Sequence, residues 1–242
     1  MNFILDIHCH TVNSGHAFST ISENAAYAQS IGLTHIGIAD HGPGMPGGAH
    51  LYSFTNLWIL PEYINGVRVL KGVEANIMDE NGKLDLPKSI LGKMEFVVAS
   101  MHRGVFPPQN KEVHTQAMIR AMENPNMHIL GHPGDPWFDI DVKEVVSAAA
   151  RTGTIIEINS QSLNPCSHRF QGNEIFMEIL AWCKELGVPV LASSDAHYFT
   201  YVGDVDRAKE LILQAGLTNE QVINTSADNL AAVITRKRGL FA

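Results

Sequence analysis

The chain has 242 residues, with 17 basic and 25 acidic side chains, a formal net charge of −8, and 45% apolar against 17% charged residues. That is globular composition with length enough for a sizeable core, which excludes disorder and coiled coil and argues against strong nucleic-acid or membrane-surface binding. No apolar run approaches the roughly 18 residues of a membrane span.

The first predicted strand, Phe3–His8, is short and apolar, but Asp6 and His8 interrupt it, so it does not read as a signal peptide. A polar loop, Thr11–Ser19, leads to a helical pattern over Ser22–Ile31, then a strand over His35–Asp40. Next comes Gly42-Pro43-Gly44-Met45-Pro46-Gly47-Gly48, continuing irregularly to about Pro61. A loop of that length in a compact domain is usually functional, and a lid or substrate wall is expected. A strand over Val67–Asn76 is followed by a weaker element at Pro87–Leu91 and a strand over Phe96–Ser100. The alternation continues with a helix at Lys111–Glu123, a strand at His128–Gly131, a helix at Val142–Arg151 and a strand at Thr154–Ser160. It ends with helix Asn173–Leu186, strand Pro189–Ser194, helix Val205–Ala215 and a last helix over about Asp228–Lys237. Asp141, Gly153, Gly187 and Gly216 stand where caps belong, and Ser226 and Gly239 bracket the last helix. Its Arg236-Lys237-Arg238 run is expected to complement a helix C-terminus rather than bind nucleic acid. Apolar strands alternating with helices imply parallel crossovers in a single α/β domain over residues 1–242, either a barrel or an open doubly wound sheet. The three cysteines, Cys9, Cys166 and Cys183, make no disulfide framework and favour the cytoplasm.

Twelve residues are histidine, and most of them fall in one kind of place. His8 and His10 end the first strand, His41 the second, and Glu74 lies near the end of the third. His102, His132 and then Asp195 with His197 close three later strands. In parallel α/β folds the C-terminal strand edge is where active sites are built. Residues i and i+2 of a strand share a side, so His8 and His10 can hold one ion while Cys9 points away, and Asp195 and His197 repeat the device. His16 is close enough in sequence to fold back over them. Imidazole with carboxylate suits zinc, with manganese or iron as alternatives, and nine ligands fit two or three ions. His35 and His128 begin their strands and His114 sits in a helix, which marks them as structural. His50 and His168 fall in loops on the active face, within reach of a substrate. A positive pocket built from several divalent ions calls for a polyanion, and phosphate-ester hydrolysis follows.

The ordered set of motifs — HxH, DHG, GxE, His102, HPG and SDAH — resembles the PHP (polymerase and histidinol phosphatase) superfamily, most of all its bacterial YcdX-type phosphatases. The resemblance runs nearly end to end, through His16-Ala17-Phe18-Ser19-Thr20, Gly72-Val73-Glu74-Ala75-Asn76-Ile77 and Thr115-Gln116-Ala117-Met118. It implies a distorted (β/α)7 TIM-like barrel with three divalent ions, usually zinc, at its C-terminal face. Carried over by residue, one ion would take His8, His10, Glu74 and Asp195; a second Glu74, His102 and His132; a third His16, His41 and His197.

The expected activity is hydrolysis of a small phosphate monoester by a metal-bound hydroxide, with Glu74, Asp195 and His197 acting through the activated water. Arg103 and Arg169 are candidates to grip the substrate, and His168 to serve the leaving group. Asp40 is expected behind the ligands or merely at a strand end, and Asn159 to orient water or substrate. The rival readings are a phosphodiesterase or exonuclease on the same fold, an amidohydrolase-type hydrolase, and a non-catalytic metal-binding module.

Overall fold

The computed structural model describes residues 1–241. Its strands are β1 (Leu5–Cys9), β2 (His35–Ile38), β3 (Tyr63–Ile64), β4 (Val67–Asn76), β5 (Phe96–Ser100), β6 (Ile129–Leu130), β7 (Ile155–Asn159) and β8 (Val190–Ser193). The helices are α1 (Ile21–Ser30), α2 (Leu51–Thr55), α3 (Lys88–Leu91), α4 (Lys111–Met122), α5 (Val142–Thr152), α6 (Glu174–Leu186), α7 (Asp206–Ala215) and α8 (Ala227–Leu240). Seven strands run parallel in the order β1-β2-β4-β5-β6-β7-β8, while β3 pairs antiparallel with the start of β4. The chain just beyond β8 returns to β1: His10 N donates to Ala196 O at 2.8 Å, and Cys9 bridges Ala196. That junction closes the sheet into a barrel and excludes the open doubly wound alternative.

The helices begin and end where side-chain chemistry dictates. Thr20 and Glu23 form a reciprocal capping box at α1, and Asn110, Asp141 and Ser226 cap α4, α5 and α8. Gly153, Gly187 and Gly216 take the left-handed conformation that ends α5, α6 and α7.

Three expectations are corrected. The stretch after Gly48 is not wholly irregular, because α2 forms within it, and β3 follows it. The fifth expected strand shrinks to the two residues of β6, since only Ile129 and Leu130 find partners on both neighbours. The last helix does not stop at Lys237 but runs through Gly239 to Leu240; that glycine faces open space and is not left-handed, so nothing there breaks the helix. The basic run does stand in the last turn of its helix, with Lys237 and Arg238 there, but its middle residue also reaches beyond it. Lys237 is fully buried, and its Nζ donates to Met122 O (2.7 Å), Thr152 O (3.1 Å) and Thr154 Oγ1 (2.7 Å). It thereby serves the C-terminal carbonyls of α4 and α5, two helices other than its own.

Strand alternation divides the core. Val97 and Ala99 of β5, and Ile156 and Ile158 of β7, pack with the surrounding helices. Phe96, Val98, Ile129, Ile155 and Leu191 join Leu5 and Ile7 in an interior cluster, which Leu230, Val233 and Ile234 of α8 complete at the N-terminal end of the barrel. Each such fully buried side chain contributes about 1.5–3 kcal/mol. Towards the other end the same inward positions turn polar: Ile155 gives way to Glu157 and Asn159, and Leu191 to Ser193 and Asp195. Among the described residues no helix is long and apolar enough to cross a membrane.

Candidate active site

Nine side chains expected as ligands meet above this polar tier. His8 and His10 leave β1 with ring centroids 5.1 Å apart, and the pairing of β1 with β2 slips between Asp6 and Cys9, an irregularity of the kind that re-aims side chains. Cys9 turns away, as the spacing predicts, and packs with Ile36, Ile38 and Ala28. Glu74 on β4 lies at the centre. Its Oε1 is 3.1 Å from His132 Nε2, 3.4 Å from His102 Nε2 and 3.5 Å from His8 Nε2; its Oε2 is 2.7 Å from His41 Nδ1 and 3.6 Å from His10 Nε2. Asp195 Oδ1 lies 3.0 Å from His10 Nε2 and 3.7 Å from His8 Nε2, and His16 and His197 face each other through Nε2 at 3.0 Å. Gly131 permits the approach of β6 to β5, because a Cβ there would fall 2.1 Å from Ser100 Oγ, and that hydroxyl donates to Glu74 Oε1 at 2.6 Å.

The donor set fits divalent metal ions. Buried polar atoms normally find a hydrogen-bond partner, and an orphan costs about 1–3 kcal/mol. Here His8 Nε2 and His41 Nε2 are buried without one, and His41 Nδ1 and Glu74 Oε2, though 2.7 Å apart, do not meet in hydrogen-bond geometry, all in the same place. Three sets of atoms lie within 4.8 Å of one another: His10, His41 and His197; His8, His10 and Glu74; His41, Glu74 and His102. His10, His41 and Glu74 each belong to two sets, so the sets interlock.

The electrostatics are those of a charged cluster cut off from water. Burial would raise the Glu74 pKa, but His102, His41 and His8 hold the carboxyl well below its ordinary range. Burial likewise opposes ionisation of Asp195, and Arg169 and His8 overcome it. Burial pulls the His102 pKa down to about 4, against the pull of Glu74. Two of the nine hold backbone conformations that L-residues rarely adopt: His132 has φ +28° and Asp195 φ +52°.

A second ring of side chains aims the first. Asp40 accepts from Thr11 N, Thr11 Oγ1 and Ser14 Oγ, each at 2.7 Å; Ser14 Oγ lies 3.2 Å from His10 Nδ1 and accepts from His41 N at 3.0 Å. Asn76 Oδ1 sits 2.8 Å from His102 Nδ1, while its amide donates to Asp85 Oδ2 at 2.6 Å. Glu157, which the sequence reading did not single out, lies 2.5 Å from His8 Nδ1. The one available signal was a lone acid in the apolar run Ile155-Ile156-Glu157-Ile158. Asn159 donates to Glu157 Oε2 and Asp195 Oδ2, so its amide is spent on two buried carboxylates rather than turned to water or substrate.

The cluster opens into a cavity of about 910 Å³, room for a molecule well beyond phosphate itself. Arg103 and His168 line it as expected, and Trp137, Tyr201 and Asn164 join them unforeseen. Arg103 stacks on Trp137, with its guanidinium carbon 3.7 Å from the ring centroid. Arg169 lies deeper than an exposed loop charge, its Nη2 donating to Asp195 Oδ2. Of the Gly42–Pro61 loop only Met45 reaches the wall, and His50 caps α2, accepting from Tyr52 N at 3.2 Å, instead of lining the cavity. The histidines read as structural are so: His128 Nδ1 accepts from Val97 N at 3.0 Å, and His114 accepts from Gln109 N at 2.7 Å.

No family model matches the chain. It is 48% identical over 240 residues to a probable phosphatase of Caldanaerobacter subterraneus subsp. tengcongensis, covering 98% of this chain and 93% of the relative. A probable phosphatase of Acetivibrio thermocellus is 41% identical over 238 residues, covering 98% of each chain. Among solved structures the fold is similar to a histidinol phosphate phosphatase of Lactococcus lactis subsp. lactis, complexed with zinc, L-histidinol and phosphate; the TM-score is 0.61 at 18% identity, over 88% of this chain and 94% of that one. A chain of an archaeal ribonuclease P with mature tRNA shares the fold at TM-score 0.54 and 14% identity, over 98% of this chain and 92% of that one.

Proposed function

The chain belongs to the family of these probable phosphatases, and we propose that it is of the PHP type and hydrolyses small phosphate monoesters at a centre of three divalent ions, zinc foremost. The observation that carries this reading is the convergence of seven imidazoles and two carboxylates, with orphaned buried donor atoms, on the floor of a substrate-sized cavity. The motif order that resembles the YcdX-type phosphatases supports that subclass.

His8, His10, Glu74 and Asp195 would hold one ion, Glu74, His102 and His132 a second, and His16, His41 and His197 a third. Divalent ions so held supply Lewis acidity towards phosphate oxygens and draw the pKa of water down to about 7. Three of them carry six positive charges, of which Glu74 and Asp195 offset two; Glu157 and Arg169 cancel, so about +4 remains to attract a phosphate. Arg169, tied to Asp195, keeps a fixed positive charge in the floor. Arg103, braced on Trp137, would hold the substrate, and His168, on the cavity wall, would protonate the leaving alkoxide. Glu74, Asp195 and His197 would act in catalysis as holders of the ions that activate water.

Metal analysis of purified protein, followed by phosphomonoesters and phosphodiesters assayed on the same sample, tests the proposal. About three ions per chain, turnover of monoesters above diesters, loss of activity with chelator and recovery with zinc are expected. Diester preference favours the phosphodiesterase reading; undiminished hydrolysis by metal-free protein overturns the proposal.

A further inference from the structure

We infer that Glu157 is a positioning residue of the metal centre, a single buried carboxylate that fixes the His8 ring and the His132 backbone together and so sets ligands of two neighbouring ions at once. The inference rests on the reading of this cluster as a metal centre.

Glu157 is wholly buried, and both its oxygens are fully engaged. Oε1 takes the His8 Nδ1 contact at 2.5 Å and a hydrogen bond from Ser193 Oγ at 2.6 Å. Oε2 accepts from His132 N at 2.7 Å and from Asn159 Nδ2 at 3.3 Å. These partners come from β1, β8, the residue after Gly131, and β7 itself, the one parallel strand from β4 onward whose C-terminal end supplies no expected ligand. A carboxylate with four inward partners has no lone pair left for an ion, so Glu157 serves as an anchor rather than a tenth ligand.

Two consequences follow from the contacts. An ionised carboxylate only accepts, so the His8 proton is held on Nδ1 and the Nε2 lone pair is left facing Glu74 and Asp195, where that atom has no hydrogen-bond partner. The second oxygen pins the N–H of His132, a residue whose φ of +28° requires such restraint. A purely structural role does not explain a charge here: the inward position one step below is Ile155, and an ion buried only for packing costs several kcal/mol that an aliphatic residue avoids. Glutamine cannot replace it, because its amide would turn an N–H towards either His8 Nδ1 or His132 N.

Wild type, Glu157→Gln and Glu157→Asp are to be compared by zinc titration against a competing chelator, with circular dichroism reporting the fold. The ring tautomer of His8 in zinc-loaded wild type is to be read by ¹⁵N NMR. Expected are a 10–100-fold loss of zinc affinity in E157Q at unchanged fold, partial recovery in E157D, and a wild-type His8 proton on Nδ1. Wild-type zinc affinity in folded E157Q overturns the inference. So does a wild-type His8 bearing no Nδ1 proton, a result that stands even if neither variant folds. Should wild type itself take up no zinc, the metal-centre reading fails first and takes this inference with it.

Discussion

The two ends of the barrel both bury polar and ionisable side chains, yet only one gathers their unpartnered atoms into a single cluster. At the N-terminal end Lys237 has no exposed surface and its hydrogens go to three oxygens, while the unpartnered His128 Nε2 and Arg238 Nε nearby join no cluster of metal-ligating side chains. At the C-terminal end His8, His41 and Glu74 are as deeply buried and retain atoms with no partner. Burial alone therefore does not identify a working site. What identifies it is unspent donor capacity converging on one volume, which the fold tolerates only where a ligand completes it.

The sharpest way to break this contrast is Glu74→Gln. It removes the charge shared by five histidines, and turnover is expected to fall on the order of 10³-fold, with ions lost from the sets that include it. The metal-free barrel should unfold at nearly the wild-type urea concentration, since the apolar layers are untouched. Metal content and denaturation curves on one preparation check both halves; wild-type metal content would merge the two ends into one kind of polar burial. Lys237→Met is the converse experiment. It strands three buried acceptors and should cost about 2–4 kcal/mol of stability in urea denaturation, with turnover per folded molecule unchanged.

A smaller, graded effect comes from His128, near the same end. Burial, with Arg238 and Lys237 nearby, pulls its pKa down to about 3. The unfolded chain takes up this proton below about 6.5, whereas the folded chain refuses it until about 3, so stability falls as pH drops through that window. His128 alone contributes a slope of up to about 1.4 kcal/mol per pH unit. Denaturation of metal-free wild type and His128→Gln at pH 6.5, 5.5 and 4.5 should show a shallower slope in the variant, and equal slopes would count against the assignment.

The contrast also explains what the sequence disclosed. The convergence of these nine side chains was legible because eight of them sit at or a few residues past a strand end, where chain order and an i, i+2 spacing carry position directly, and His16 follows His10 closely enough to fold back. The barrel's strands were legible as Val- and Ile-rich runs, and the caps as Asp141, Ser226 and the left-handed glycines. Glu157 was not, since its partner His8 lies 149 residues away and a strand pattern shows only that an acid interrupts it. Lys237 escaped for a related reason: a basic residue near the end of a helix has a ready local explanation, and its true partners belong to α4 and α5. The short α2 and β3 take their form from pairing and packing in a glycine- and proline-rich stretch, where local propensity is weak.

The left-handed turns at His132 and Asp195 bear on how such a chain ages in evolution. A non-glycine residue held there costs about 1–3 kcal/mol, and glycine or asparagine would relieve much of it. A lineage released from hydrolysis would thus gain a sturdier barrel by mutating these two codons, long before its apolar layers felt any selection. On the metal-centre reading, the pair would serve as a genomic marker separating working copies from relics, because histidine and aspartate would be kept in such turns for what they hold.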